Sequence, residues 1–140
     1  MNIIINKKVK NVKTVSLVVA DINKLKYVND TFGLIVGDEL ILKVAKILES
    51  LKNLNEVYTG RTGGNEFQII LLNYDIDQSN EILQNIFKKL YSIQLEKADY
   101  VASVSFGLVD WNNQDTTEEF IHKTDQLMYA NKKRSKPNLI

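Results

Sequence analysis

The sequence has no cysteine, one histidine, one proline and no long apolar run. Without cysteine there can be no disulfide, thiol nucleophile or cysteine–zinc site. A lone histidine, His122, cannot build a histidine-rich metal centre and reads as a helix-surface residue. Pro137 is the only proline, so nothing resembles a proline-rich linker. The longest apolar runs, Ile3-Ile4-Ile5 and Val15 to Ala20, fall far short of the ~20 residues of a membrane span. The N-terminus lacks the apolar core of a secretory signal, and a cytoplasmic domain is expected. Charge of one sign is missing as well. Eighteen basic and 17 acidic side chains leave a net charge of +1, which gives no support to bulk binding of nucleic acid. No GxxxxGK[ST] phosphate loop, GxSxG elbow or RNA-recognition strand signature occurs.

What is present suits one globular domain. The chain has 140 residues, 44% hydrophobic and 25% charged, enough to bury a core. Residues 1–14 are an N-terminal lead-in, polar and basic over 6–13 (NKKVKNVK), and the domain is expected over 15–138. Val15 to Ala20 is β-branched and apolar, as in a central strand buried on both faces. A short helix over 23–31 is interrupted by Gly33. Leu40, Ile41, Val44, Ile47, Leu48 and Leu51 recur at helical spacing, predicting a helix over 35–52. Residues 57–59 and 67–72 read as strands of a hairpin around Gly63-Gly64. A helix is expected over 77–93, a strand over 99–109, and a last helix over 117–133 with Phe120, Ile121, Leu127 and Met128 facing inward. That order predicts an α+β fold, a ferredoxin-like, mainly antiparallel sheet flanked by helices.

Several polar residues fall where chemistry is practical. Asp21 follows the first strand and Glu66 opens the third. If those strands are neighbours, the two carboxylates converge and a hard cation such as Mg²⁺ relieves their repulsion. Two ordinary strand-end acids fit the same spacing. Gly63-Gly64 supplies backbone freedom and clears side chains from the turn, so a phosphate or ribose can approach; a plain hairpin turn is the alternative. Asn29 and Asp38 flank the bend around Gly33 and Gly37. An amide and a carboxylate together can read a purine edge such as guanine. Asp38 would also serve as an N-cap for the following helix. Lys26, Lys132 and Lys136 can each meet a phosphate, or simply coat the surface.

Gly63-Gly64-Asn65-Glu66-Phe67 resembles the signature of GGDEF domains, the diguanylate cyclases. Asp21 to Asp38 (DINKLKYVNDTFGLIVGD) resembles the family's "DIDxFKxINDxxGHxxGD". Arg61 precedes the glycines at the usual spacing, Val104 to Gly107 resembles the "SIG" strand, and Asp125 to Lys136 resembles "ADxALYxAKxxGRN". Four segments in order cover about residues 15–138. The resemblance implies a nucleotidyl cyclase-type fold and condensation of two GTP into cyclic di-GMP and two pyrophosphates. In that reaction two domains meet face to face around Mg²⁺ or Mn²⁺. It implies that Asp21 and Glu66 hold metal and that Asn29 and Asp38 bind guanine. Gly63 and Gly64 would admit the nucleotide, and Lys26, Lys132 and Lys136 would contact phosphate.

The departures bear on activity. Asn65 stands where the family has Asp or Glu, at a position assigned to metal binding or activation of the hydroxyl. An amide carries no charge and accepts no proton there. Asn23 replaces the second Asp of "DID", Leu25 replaces Phe, Leu34 replaces His and Lys136 replaces Arg. Residues 54–57 (LNEV) lack the family's RxxD feedback site. The upstream "DxLTGLxNR" segment has no counterpart in the twenty residues before Asp21. Divergence of the N-terminal element, or a longer parent protein with an attached sensor or effector, would account for that. The favoured expectation is a degenerate, Mg²⁺-dependent GTP-binding domain that regulates an attached or partner module and pairs with a second copy when GTP binds. The alternatives are an active cyclase and a dimerisation domain that binds no nucleotide.

Overall fold

The structure is a computed structural model describing residues 14–111 and 115–135, without the side chains of 133–135. The lead-in apart from Thr14, and Lys136, lie outside the described residues. Val15–Ile22 forms β1, and all eight of its residues are buried. Their alternation explains why. Val18, Ala20 and Ile22 face one core, while Val15, Leu17 and Val19 face another, because successive strand residues point to opposite faces. β1 is therefore central, in a sheet ordered β2-β3-β1-β4. β2 is Val57–Arg61, β3 is Glu66–Leu72 and β4 is Val104–Asp110. All three pairings are antiparallel. This is the α+β, helix-flanked antiparallel sheet that the element order predicts.

Three helices cover one face. They are α1 (Leu25–Phe32), α2 (Leu34–Glu49) and α3 (Ile76–Tyr91). Val28, Leu40, Val44, Leu48, Leu83, Ile86 and Leu90 bury against Val18, Ala20 and Ile22. Asp75 and Gln78 close a reciprocal capping box that starts α3. The other face is covered by α4 (Thr117–Ser135), which buries Phe120 and Met128. Each such side chain contributes about 1.5–3 kcal/mol of burial.

Three expectations change. The fourth strand starts at Val104, not 99, because β1 runs out at the Ile22–Val104 pair and the chain turns into α1. Leu127 is 37% exposed on α4, and Thr124 is buried instead. Asp38 caps nothing. Gly33 closes α1 and opens α2 with φ +95°, leaving Asp38 exposed inside the second helix. Only glycine takes that backbone without strain.

Candidate functional site

Asp21 lies inside β1, paired with Glu66 of β3 on one side and Ser105 of β4 on the other. It is 94% buried. The Lys132 ammonium reaches it from α4 and donates to Oδ2 at 2.8 Å. Its other oxygen, Oδ1, is buried without a hydrogen-bond partner among the described residues. A buried carboxylate oxygen left bare is costly.

The β2–β3 turn docks on the end of β1. Ile22 N–H donates to Asn65 O at 2.9 Å, and Asn65 Nδ2 donates to Ile22 O at 3.3 Å. The carbonyl can only accept, so the amide nitrogen must face it. The Arg61 guanidinium ties the turn from outside, with Nε on Gly63 O at 2.9 Å and Nη2 on Gly64 O at 2.8 Å. Neither Gly63 nor Gly64 has a positive φ, and a Cβ on either would meet nothing closer than 3.8 Å. The expected need for backbone freedom therefore falls away. Their effect is to leave the space above the turn clear.

Glu66 accepts from the Thr62 hydroxyl at 3.2 Å. Burial, and then the nearby Asp125 carboxylate, push its pKa up, while the Thr62 and Gln68 side chains pull it down. Asp125 was missed as a site residue in the sequence. Burial raises its pKa too, with His122 opposing, and its Oδ1 is buried without a partner among the described residues. The available signal was its spacing, two helical turns before Lys132 on one face of α4. Asn23 is absorbed elsewhere. It donates to Ser103 Oγ at 2.8 Å and accepts from Ser105 Oγ at 3.0 Å. A carboxylate here could only accept, so both serine hydroxyls would have to turn toward it as donors.

At the α1–α2 corner the Asn29 side chain lies against Gly37, the residue before Asp38, and Lys26 is exposed one turn before Asn29. Asp38 opens onto a cleft of about 520 Å³ walled by Ile35, Leu42 and Lys43. The predicted residues thus form two groups: Asp21, Asn65, Glu66 and Lys132 at the end of β1, and Asn29, Asp38 and Lys26 at the corner.

The donor set fits a divalent cation at Asp21. The bare, buried Oδ1 is an anionic oxygen seeking a positive partner, and Glu66 is its register neighbour. No group of three His, Asp or Glu side chains encloses a metal among the described residues. That suits Mg²⁺, which is commonly held by one or two carboxylates and completed by phosphates and water. At residue 65 the amide nitrogen is taken up by the Ile22 carbonyl, and the oxygen that could meet a cation carries no net charge. No helix among the described residues is long and apolar enough to cross a membrane.

The same architecture occurs in known proteins. A GGDEF-domain structure of DgcB from Caulobacter crescentus in complex with c-di-GMP superposes with TM-score 0.80 at 26% identity, covering 86% of this chain and 72% of that one. The active GGEEF domain of a diguanylate cyclase from Vibrio cholerae shares the fold, with TM-score 0.81 at 23% identity over 95% of this chain and 84% of that one. In sequence, the chain is 30% identical over 119 residues to the probable diguanylate cyclase DgcI of Escherichia coli K12, covering 85% of this chain and 26% of that protein. It is also 30% identical to diguanylate cyclase VdcA of Vibrio cholerae, covering 84% of this chain and 36% of that protein. The chain therefore spans about a third or less of these two relatives. Residues 2–138 match the family described as "Diguanylate cyclase, GGDEF domain". With that match over nearly its whole length, and a hairpin signature seated against β1, the chain belongs to the GGDEF domain family of diguanylate cyclases, whose field is cyclic di-GMP signalling.

Proposed function

We propose that this domain binds GTP with a divalent cation and regulates an attached or partner module in cyclic di-GMP signalling without turning GTP over. One observation carries the reading. Asn65 stands at the signature position of an acid, and its amide is committed to the Ile22 carbonyl. Forming cyclic di-GMP requires a ribose 3′-hydroxyl to lose its proton while its oxygen attacks an α-phosphate. A neutral amide cannot take that proton, and it lacks the negative charge that would hold a cation beside the attacking oxygen.

The remaining residues suit binding. The Asp38 carboxylate accepts from the two N–H donors on one guanine edge, and Asn29 supplies an amide beside it. The open turn at Gly63 and Gly64 lets phosphates approach, and Lys26, Lys132 and Lys136 are cations for them. Asp21 and Glu66 would hold Mg²⁺ or Mn²⁺, which neutralises phosphate charge when bound. A domain that uses GTP and these ions would work in the cytoplasm. A GTP-dependent pair of domains and an attached sensor or effector belong to the same reading.

The active-cyclase reading keeps one supporting observation, the intact Asp21, Glu66 and Lys132 group. A product assay separates the two. Protein at high concentration is incubated with GTP and Mg²⁺ or Mn²⁺, and cyclic di-GMP is followed by chromatography and mass spectrometry. The wild type is expected to yield none, and Asn65→Asp to yield product, with a gain of roughly 10²–10³-fold over any background. Product from the wild type at the level of the variant would establish the cyclase reading instead.

A further inference from the structure

The side chain of Asn29 leans across the first turn of α2 at Gly37. A Cβ built on Gly37 would lie 1.7 Å from Asn29 Oδ1 and 2.9 Å from its Cγ. Gly37 is buried, so the amide fills the notch that its missing side chain leaves. Nothing else holds that amide, since the Asn29 side chain makes no hydrogen bond among the described residues. The backbone around it is fixed. Gly33 N–H donates to Asn29 O at 3.0 Å, Gly37 N–H donates to Gly33 O at 3.1 Å, and Val28 and Val36 are buried beneath. Asn29 is thus aimed by shape alone: its Oδ1 is turned into the notch at Gly37, and its Nδ2, farther away at 3.6 Å from the built Cβ, is left for a ligand.

We infer that Gly37 is a specificity-determining positioning residue: its missing side chain seats Asn29 beside Asp38, so that the pair reads a guanine base. The inference rests on the proposed GTP reading. The clash of a larger residue is with the far end of a flexible side chain, not with backbone. A methyl group at 37 therefore leaves the fold standing and swings Asn29 out of place.

The test measures GTP and ATP affinity calorimetrically, with Mg²⁺, for the wild type, Asn29→Ala, Gly37→Ala and the double variant. Melting temperature without nucleotide reports folding. The wild type is expected to prefer GTP over ATP. Gly37→Ala should melt within a few degrees of the wild type yet lose about tenfold in GTP affinity, as for one lost hydrogen-bonding group. ATP affinity should change little, so the preference narrows. The double variant should bind GTP no worse than Asn29→Ala, because Gly37 acts only through Asn29. If Gly37→Ala alone does not fold, the double variant, which removes the clash, should fold; its failure would overturn the inference. Wild-type affinity in Gly37→Ala, or a further loss in the double variant, would overturn it while leaving the GTP reading intact. No GTP preference in the wild type would overturn the reading itself, and the inference with it.

Discussion

Asn65 has the outline of an aspartate but carries two N–H donors, and one of them meets the Ile22 carbonyl at 3.3 Å. In Asn65→Asp that contact becomes two oxygens facing each other. Without metal the variant should lose about 1–3 kcal/mol and melt roughly 3–10 °C lower. Millimolar Mg²⁺ should restore it by entering between the oxygens. A melting temperature that Mg²⁺ moves no more in the variant than in the wild type would refute this account of residue 65. Asp125 offers a second test. Burial raises the pKa of Asp125, and burial with Asp125 raises that of Glu66. Between the ordinary and the raised values the folded chain binds more protons than the unfolded chain. Stability therefore falls as pH rises through that window. Asp125→Asn should then raise the melting temperature at pH 7, with the gain fading as pH falls toward about 4. A gain of equal size at pH 4 would show that charge is not its cause.

At the scale of elements, the end of β1 is built by contacts that leave little slack. A Cβ on Gly107 of β4 would lie 2.5 Å from Thr124 O and 2.7 Å from Met128 N, both α4 backbone. Unlike the flexible amide beside Gly37, these atoms cannot step aside. Gly107→Ala should lower the melting temperature by roughly 5–10 °C as α4 is pushed off the sheet. It should also weaken GTP binding, since α4 carries Lys132. An unchanged melting temperature would mean that α4 packs more loosely than described. The elements themselves were legible, because β1 reads as an apolar strand and α2 and α3 repeat at helical spacing. Their ends were less so. Nothing local says that strand pairing stops at Val104, since that follows from where β1 ends. The start of α2 was obscured by Asp38, which looks like a cap although Gly33 performs the turn.

Across the whole molecule, the face-switching of β1 places two cores back to back and brings α1 and α4 to the same end of the sheet. Asp21 and Glu66 converge on condition that β1 and β3 are neighbours, which the sequence leaves open, and the register pairs them directly. The Lys132–Asp21 ion pair, 111 residues apart, was not readable, nor was the seat of Asn29 on Gly37. Both depend on packing between elements, which no local spacing encodes. Asp125 belongs to a motif segment but stands out only once α4 lies over β4 and β1. The central claim is that this assembled edge still binds GTP. The most direct test is the melting temperature of the wild type and of Asp38→Ala across a GTP titration with Mg²⁺. At a hundredfold excess over Kd, binding should add about 2.7 kcal/mol to wild-type stability, a rise of several degrees, and Asp38→Ala should show little or none. A wild type that GTP leaves unmoved at every Mg²⁺ or Mn²⁺ concentration would contradict the account and leave a domain that pairs or docks without nucleotide.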